Sequence, residues 1–252
     1  MTHILDVLSK PLLKLRRKRL SNRIFADAGG VVQLGVFAGL KLDGNSNVSR
    51  SCLGQKVLGI YEAAVFEEIE RRGPFGDAVC VGAADGFYAL GLVKSGLAKR
   101  AICFEITADG RAAIAKNAVE NGVSDNVVIL GKADEAFGQQ LKANNFTVKN
   151  ALVICDIEGA EFPVLSREVL SALEGAVLIV ELHDKIMKDA TSMRGELIAR
   201  LPESYEHKVV GEKPIDWRGI AALEKLSDND RGLAASEGRK VIGEWLIAAP
   251  GK

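Results

Sequence analysis

Four short apolar runs recur along the chain, and each ends on an acidic residue or a glycine turn. They are Ala78 to Val81 before Gly82-Ala83-Ala84-Asp85-Gly86, Ala101 to Phe104 before Glu105, Leu152 to Cys155 before Asp156, and Val177 to Val180 before Glu181. Helix-patterned stretches separate them. Buried strands alternating with helices predict a parallel, doubly wound α/β sheet covered on both faces. From Asp77 the pattern predicts strand 78–82 and helix 86–96, strand 100–105 and helix 108–121, strand 126–130 and helix 134–144. Strand 151–156 and helix 164–172 follow, then strand 176–182 and helix 190–200. Tyr205 to Val210 and Val241 to Ala248 are two more strands without a clean crossover helix, which predicts an antiparallel pair at one edge. The polar insertion between them, residues 211–240 with Trp217, Asp228, Asp230 and Arg231, reads as a pocket cover.

Residues 1–75 read as an N-terminal extension of helix, small β element and helix, and residues 76–252 as the ligand-binding domain. Apolar spacing predicts a helix over 3–20, broken or restarted at Pro11. Lys14, Arg16, Arg17, Lys18 and Arg19 form a dense basic run that could dock on anionic lipid or RNA, though a solvated face or a partner contact is the expectation. Val31 to Phe37 and Leu40 to Leu42 read as the β element, Ser46 to Gly54 as an exposed loop, and Val57 to Arg72 as a helix stopped by Gly73-Pro74.

Composition narrows the classes. Thirty-three basic residues balance thirty-three acidic ones in 252, so no global field attracts nucleic acid or a membrane. Cys80, Cys103 and Cys155 sit inside apolar runs and no C-x-x-C spacing occurs, which points to buried thiols rather than zinc or disulfides. No apolar stretch approaches the ~20 residues that span a bilayer. Asp6 and Lys10 break the apolar run of a secretory signal. The expected address is cytoplasmic, without stable membrane insertion.

In a doubly wound sheet, ligands bind outside the carboxyl ends of the strands where strand order reverses. A dinucleotide fingerprint starting at Gly82 would need glycine at 84 and a small residue at 87; the chain has Ala84 and Phe87. A P-loop fails because no G-K-[ST] follows. The turn instead carries an acid, Asp85, which repels a pyrophosphate and suits a cationic ligand. Glu105, ending the second strand, is placed for ribose hydroxyls. Ala133 and Asp134, after the third, are placed for an adenine edge, with Asp134 equally suited to cap the helix that follows, and Asp156 for the reacting end. An adenosine ligand with a cationic tail and no phosphate fits: S-adenosylmethionine (SAM).

The segments Val79-Cys-Val-Gly-Ala-Ala-Asp-Gly-Phe-Tyr88, Phe104-Glu105, Asp156-Ile-Glu-Gly-Ala-Glu161 and Val180-Glu-Leu-His183 resemble the FkbM-type SAM-dependent methyltransferases over about residues 78–184. The resemblance implies a Rossmann-like, seven-stranded class I methyltransferase fold and transfer usually to a hydroxyl oxygen. It implies that Gly82, Ala83 and Gly86 line the cofactor, with Asp85 and Tyr88 in the same motif, and that Glu105 holds the ribose. Cys80 departs from it, standing where the family usually has an acid. Leu58-Gly-Ile-Tyr-Glu62 resembles a segment of uncharacterised relatives, which implies a position before the first strand where it could close over the cofactor. The acceptor expected is a small molecule or a sugar. His183 is the expected general base, since an unperturbed pKa near 6.5 suits neutral pH. Asp156 would orient it or bind the acceptor, and Glu158 is a third pocket-facing candidate. Glu181 and Asp184 leave magnesium or calcium open, but a metal-free site is the expectation. Two rival readings are a nicotinamide-dependent oxidoreductase and an inactive methyltransferase-fold binding module.

Overall fold

The computed structural model describes residues 2–44, 52–134, 136–187 and 190–251. Three helices come first: α1 (Thr2–Asp27), α2 (Leu53–Leu58) and α3 (Ala63–Arg72). Then strands and helices alternate through β1 (Phe75–Val81), α4 (Phe87–Lys94), β2 (Ala98–Phe104), α5 (Ala108–Asn121), β3 (Val127–Leu130) and α6 (Phe137–Ala143). They continue through β4 (Leu152–Cys155), α7 (Glu161–Val164), α8 (Arg167–Ala172), β5 (Val177–Glu181) and α9 (Ala190–Ala199). The chain closes with β6 (Tyr205–Gly211), α10 (Ala221–Glu224), α11 (Asp228–Ala235) and β7 (Glu244–Pro250).

The seven strands lie in the order β3-β2-β1-β4-β5-β7-β6. β1 to β5 are parallel neighbours, while β7 runs antiparallel to both β5 and β6. Successive side chains on a strand point to opposite faces, and here each face has its own core. Ala78, Cys80, Ala101, Cys103, Leu152 and Ile154 pack on one side; Val79, Val81, Ile102, Phe104, Val153 and Cys155 pack on the other. That is why the runs read as continuously apolar. The four cysteines are unbridged, and Cys80, Cys103 and Cys155 are buried.

Several element expectations change. α1 runs through Pro11. Proline in a helix interior costs roughly 3 kcal/mol, but one lost bond does not end a long helix held downstream by packing on α2 and α11. The helix expected over 57–72 is two helices. Gly59 ends α2 at φ +69, with its N–H donating to Lys56 O and that of Ile60 to Gln55 O, a paired C-terminal cap. A side chain at Gly59 would put its Cβ 2.3 Å from Leu34 O. The β element at 31–42 reduces to one antiparallel bridge, Val31 to Lys41. Of the loop expected at 46–54, Leu53 and Gly54 are helical and residues 46–51 lie outside the described residues. The helix expected over 164–172 is α7 and α8, because the Ser166 hydroxyl caps the second by accepting from Val169 N. Among the described residues no helix is long and apolar enough to cross a membrane.

The N-terminal helices brace the sheet's ligand edge. Lys56 of α2 reaches beneath the turn after β1 and donates to both Asp85 oxygens, at 2.8 and 2.9 Å. Both side chains are almost wholly buried, 4% and 3% exposed. The ammonium also lies 4.9 Å from the Phe87 ring centroid. Removing one partner of a buried pair strands a charge, at a cost of about 3–5 kcal/mol. Lys56→Ala is therefore expected to lose that much in urea unfolding, and Lys56→Met/Asp85→Asn, with no charge left buried, to recover most of it.

Candidate active site

Strand order reverses between β1 and β4, and their carboxyl ends meet there. Gly82 has φ +82, and a Cβ on it would lie 1.9 Å from Asp156 O, so only glycine lets the two strand ends close. Asp156 N donates to Val81 O across the same junction, at 2.9 Å. Beside it opens a cleft of about 790 Å³. Gly82, Ala84 and Asp156 form its floor; Glu105, Ile106, Lys132 and Ala133 one wall; Glu181, Leu182 and His183 the other. Because β7 is antiparallel to β5, the segment leading into it, residues 237–243, also reaches this edge and completes the second wall.

Ala84 sits in the left-handed region at φ +52, a conformation costing about 1–2 kcal/mol for an L residue. Glu105 holds it there: Oε2 accepts from Ala84 N at 2.9 Å. Glu105 Oε1 accepts from Thr107 N at 2.8 Å and Thr107 Oγ1 at 2.6 Å. A carboxylate offers roughly four acceptor sites, so three internal bonds leave little spare capacity.

Other expected cofactor contacts are placed elsewhere. The Asp85 carboxylate is paired with Lys56 and lines a smaller cavity that shares Gly82, Ala84 and Asp156 with the cleft. Ala83 and Tyr88 line the same smaller cavity, with the Tyr88 hydroxyl donating to Glu62 Oε2 at 2.5 Å. Gly86 starts α4 at φ +84, and an added Cβ there would lie 2.9 Å from Leu90 Cδ1. Asp134 is exposed and accepts from Ala136 N at 2.9 Å, so it serves the turn before α6. Trp217 is packed by Arg231 and lines no part of the cleft, nor do Asp228, Asp230 or Arg231. α10 and α11 instead share a core with α1 and α2, through Ile24, Val57, Leu223 and Ala234. Gly82, Glu105, Ala133, Asp156, Glu158 and His183 do come together around the cleft.

His183 is held by a carboxylate from the same acidic motif. Glu161 is fully buried. Its Oε1 accepts from His183 N at 3.0 Å and lies 3.1 Å from Nδ1, while Oε2 accepts from Gly159 N at 2.8 Å. An ionised Glu161 only accepts, which assigns the proton to Nδ1 and turns Nε2 towards the cleft. Nε2 lies 3.7 Å from Asp156 Oδ1, 3.7 Å from Glu158 Oε2 and 3.8 Å from Glu181 Oε1. Burial works against a charged ring, but the hydrogen bond to Glu161 and the charges of Glu161, Glu181 and Asp156 outweigh it and push the pKa up to about 9. The direction of this shift favours the protonated ring, where the unperturbed value would leave the imidazole free at neutral pH.

Behind Glu181 lies a second charge cluster. Arg239 donates to Glu62 Oε1 at 2.6 Å, to Glu237 Oε2 at 2.8 Å and to Glu181 Oε1, and its guanidinium lies 5.3 Å from the Trp245 ring centroid. Burial, followed by neighbouring carboxylates, raises Glu62 and Glu181 to about 7. Asp156, Glu158 and His183 each offer a ligand atom within 4.8 Å of the others, a set able to hold a hard cation if Nε2 is deprotonated. Asp184 stands apart, paired with Arg194 at 2.8 Å.

No family model matches the chain, and neither does any curated protein. Solved structures do. An O-methyltransferase from Bacillus cereus in complex with SAH aligns over 77% of this chain and 80% of its own, at 14% identity and a TM-score of 0.52. An O-methyltransferase from Streptomyces achromogenes in complex with SAM aligns over 76% and 79%, at 15% identity and a TM-score of 0.49. The fold is the Rossmann-like methyltransferase fold. At these identities the likeness concerns the fold alone.

Sequence reasoning missed Lys56 and Arg239. The Leu58-Gly-Ile-Tyr-Glu62 segment lies before β1, as the resemblance implies, and brings Tyr61 to the cleft. Arg239 had no signal, since its four carboxylate neighbours (Glu212 at 3.5 Å is the fourth) are scattered from residue 62 to residue 237.

The shifts carry a pH dependence of one sign. Carboxyls raised to about 7 at Glu62 and Glu181, and an imidazole raised to about 9 at His183, each bind protons more tightly in the folded state. The stability from His183 is complete below pH ~6.5 and lost through pH ~9; the two carboxyls cost stability as pH rises from ~4.5 through ~7. The melting temperature is therefore expected to fall steadily from pH 5 to pH 9 in differential scanning calorimetry. A flat or rising profile would contradict these assignments.

Proposed function

We propose that this chain is a SAM-dependent methyltransferase of the FkbM type, acting on a hydroxyl oxygen of a small molecule. The observation that carries the reading is the buried Glu161–His183 pair, which presents Nε2 to the same cleft that Glu105 and Ala133 line opposite. In this reading residues 76–252 are the catalytic unit and residues 1–75 brace its turn.

The residues present fit the cofactor, with one reassignment. Glu105 would take a ribose hydroxyl and Ala133 would pack near the adenine. Cys80 is a buried thiol pushed up to about 12 by burial, and Asp85 is occupied, so neither supplies a carboxylate to the amino group. That role falls to Asp156. When bound, SAM would supply an electrophilic methyl on a sulfonium. Asp156, Glu158 and Glu181 make the floor acidic, which suits a cation there. The exposed apolar side chains at the mouth, Ile106, Ile186, Val241 and Ile242, favour an acceptor with an apolar body. With Trp217 outside the cleft, nothing supports a sugar platform.

His183 would take the acceptor's proton on Nε2, and a resting pKa near 9 obstructs this until a positive charge arrives. A cation beside Asp156 lowers that pKa by Coulomb repulsion. Titration calorimetry at pH 8 in two buffers of different ionisation enthalpy tests this. SAM binding is expected to release a proton, SAH binding to release markedly less, and His183→Ala to abolish the difference. His183→Ala should keep SAM affinity and cut kcat by about 10²–10⁴. Equal proton release by SAM and SAH would sink the base assignment. NAD binding without SAH binding would overturn the methyltransferase reading itself.

Glu105→Ala is expected to weaken SAH by roughly 1.5–3 kcal/mol, the worth of a hydrogen bond to a charged group. It should also lower the melting temperature, because it releases Ala84 and Thr107. A variant that melts lower yet binds SAH normally would make Glu105 a purely structural residue.

A further inference from the structure

Among the residues whose side chains are described, α1 is anchored to the body from Arg16 onward. Ser21 and Ile24 are buried, and the Ser21 hydroxyl accepts from Gly54 N at 2.8 Å. Arg16 pairs with Asp230 of α11 at 2.6 Å, and the Arg17 head lies against Gly238. Upstream, residues 10–15 are all exposed. Leu12 is 67% exposed, Leu13 48% and Leu15 45%. At about 100° per residue, Leu12 and Leu15 share a face roughly 120–180° round the helix from Ser21 and Ile24. They point away from the body.

The same stretch carries a concentrated charge. Lys10, Lys14, Arg16, Arg17, Lys18 and Arg19 fall within ten residues that hold no acid, in a chain of formal net charge +0. Lys10, Lys14, Lys18 and Arg19 are exposed. Leu12, Leu15, Lys18 and Arg19 fall within about 120° of one another on the face turned from the body, and together they define its partner. Nucleic acid would take the cations and leave the leucines wet. A second copy packed symmetrically would oppose like charges. An anionic bilayer surface takes both, with ammonium and guanidinium groups on the headgroup phosphates and leucines at the acyl boundary.

We propose that residues 10–19 of α1 form a peripheral docking segment for anionic lipid surfaces. It lies on the membrane and does not cross it. The inference does not depend on the methyltransferase reading. Through Arg17 and Gly238 the docked helix touches the segment that walls the cleft, so adsorption would hold the cleft at a defined aspect to the membrane.

Co-sedimentation of the full chain with vesicles tests it. Partition is expected onto phosphatidylcholine vesicles containing about a third phosphatidylglycerol, weakening with salt, and not onto pure phosphatidylcholine. Lys10→Ala/Lys14→Ala/Lys18→Ala/Arg19→Ala should lower the partition on the order of 100-fold or more. Leu12→Asp/Leu15→Asp should lower it at least ~10-fold, about what losing two buried side chains implies. Both sets are exposed, so melting should stay unchanged and SAH binding unaffected. Three results would overturn the proposal. One is no partition onto anionic vesicles at physiological salt. Another is binding to an RNA oligomer that the leucine variant leaves intact while vesicles are ignored. The last is a dimer in sedimentation equilibrium that the leucine variant breaks while wild type fails to bind vesicles.

Discussion

The closure of β1 against β4 leaves no room for a side chain at Gly82. The 1.9 Å that a Cβ would have from Asp156 O makes the turn after β1 and the acid after β4 parts of one surface. From that contact the rest follows. The turn is forced tight, Ala84 is driven into the left-handed region, and Glu105 must be anchored within reach of its N–H. The acidic segment after β4 folds back so that Glu161 is buried beneath His183. A parallel sheet places all five of these strand ends at one edge, and its order reversal opens the gap between them.

Buried charge then decides how that edge behaves. The Lys56–Asp85 pair below the turn is closed, with each group answering the other. The cluster around Arg239 is open: Glu62, Glu181 and Glu237 converge on one guanidinium, and Asp156 and Glu158 add to the excess. Against the effect of burial, the hydrogen bond and charge of Glu161, then the charges of Glu181 and Asp156, raise the His183 pKa. The shift belongs to the neighbourhood and not to an isolated imidazole.

The insertion between β6 and β7 acts through connectivity. Its helices join α1 and α2 in a separate core, and only its last residues, 237–243, reach the cleft. An antiparallel β7 brings those residues to the ligand edge, where a parallel strand would have carried them to the far side. The N-terminal helices and this insertion therefore form a support continuous from α1 to the cleft wall.

The sequence by itself determined the alternating strands, the parallel sheet with its antiparallel edge and the acids at the strand ends. These are local or periodic properties: a strand buried on both faces must be apolar throughout, and a run that stops at an acid has reached solvent or a ligand. The two broken helices, at Gly59 and Ser166, were less legible, because capping chemistry interrupts a periodicity that otherwise continues. Only the tertiary structure decided which acids face the cleft. Asp85 and Asp134 look as eligible as Asp156 in the chain, yet Lys56 claims the first and a local turn the second. Likewise, Arg239 and Glu62 meet across 177 residues, and no spacing rule joins them. Hydrophobic period is written into neighbouring residues, whereas the partner of a buried charge is chosen by whatever the fold brings within about 3 Å.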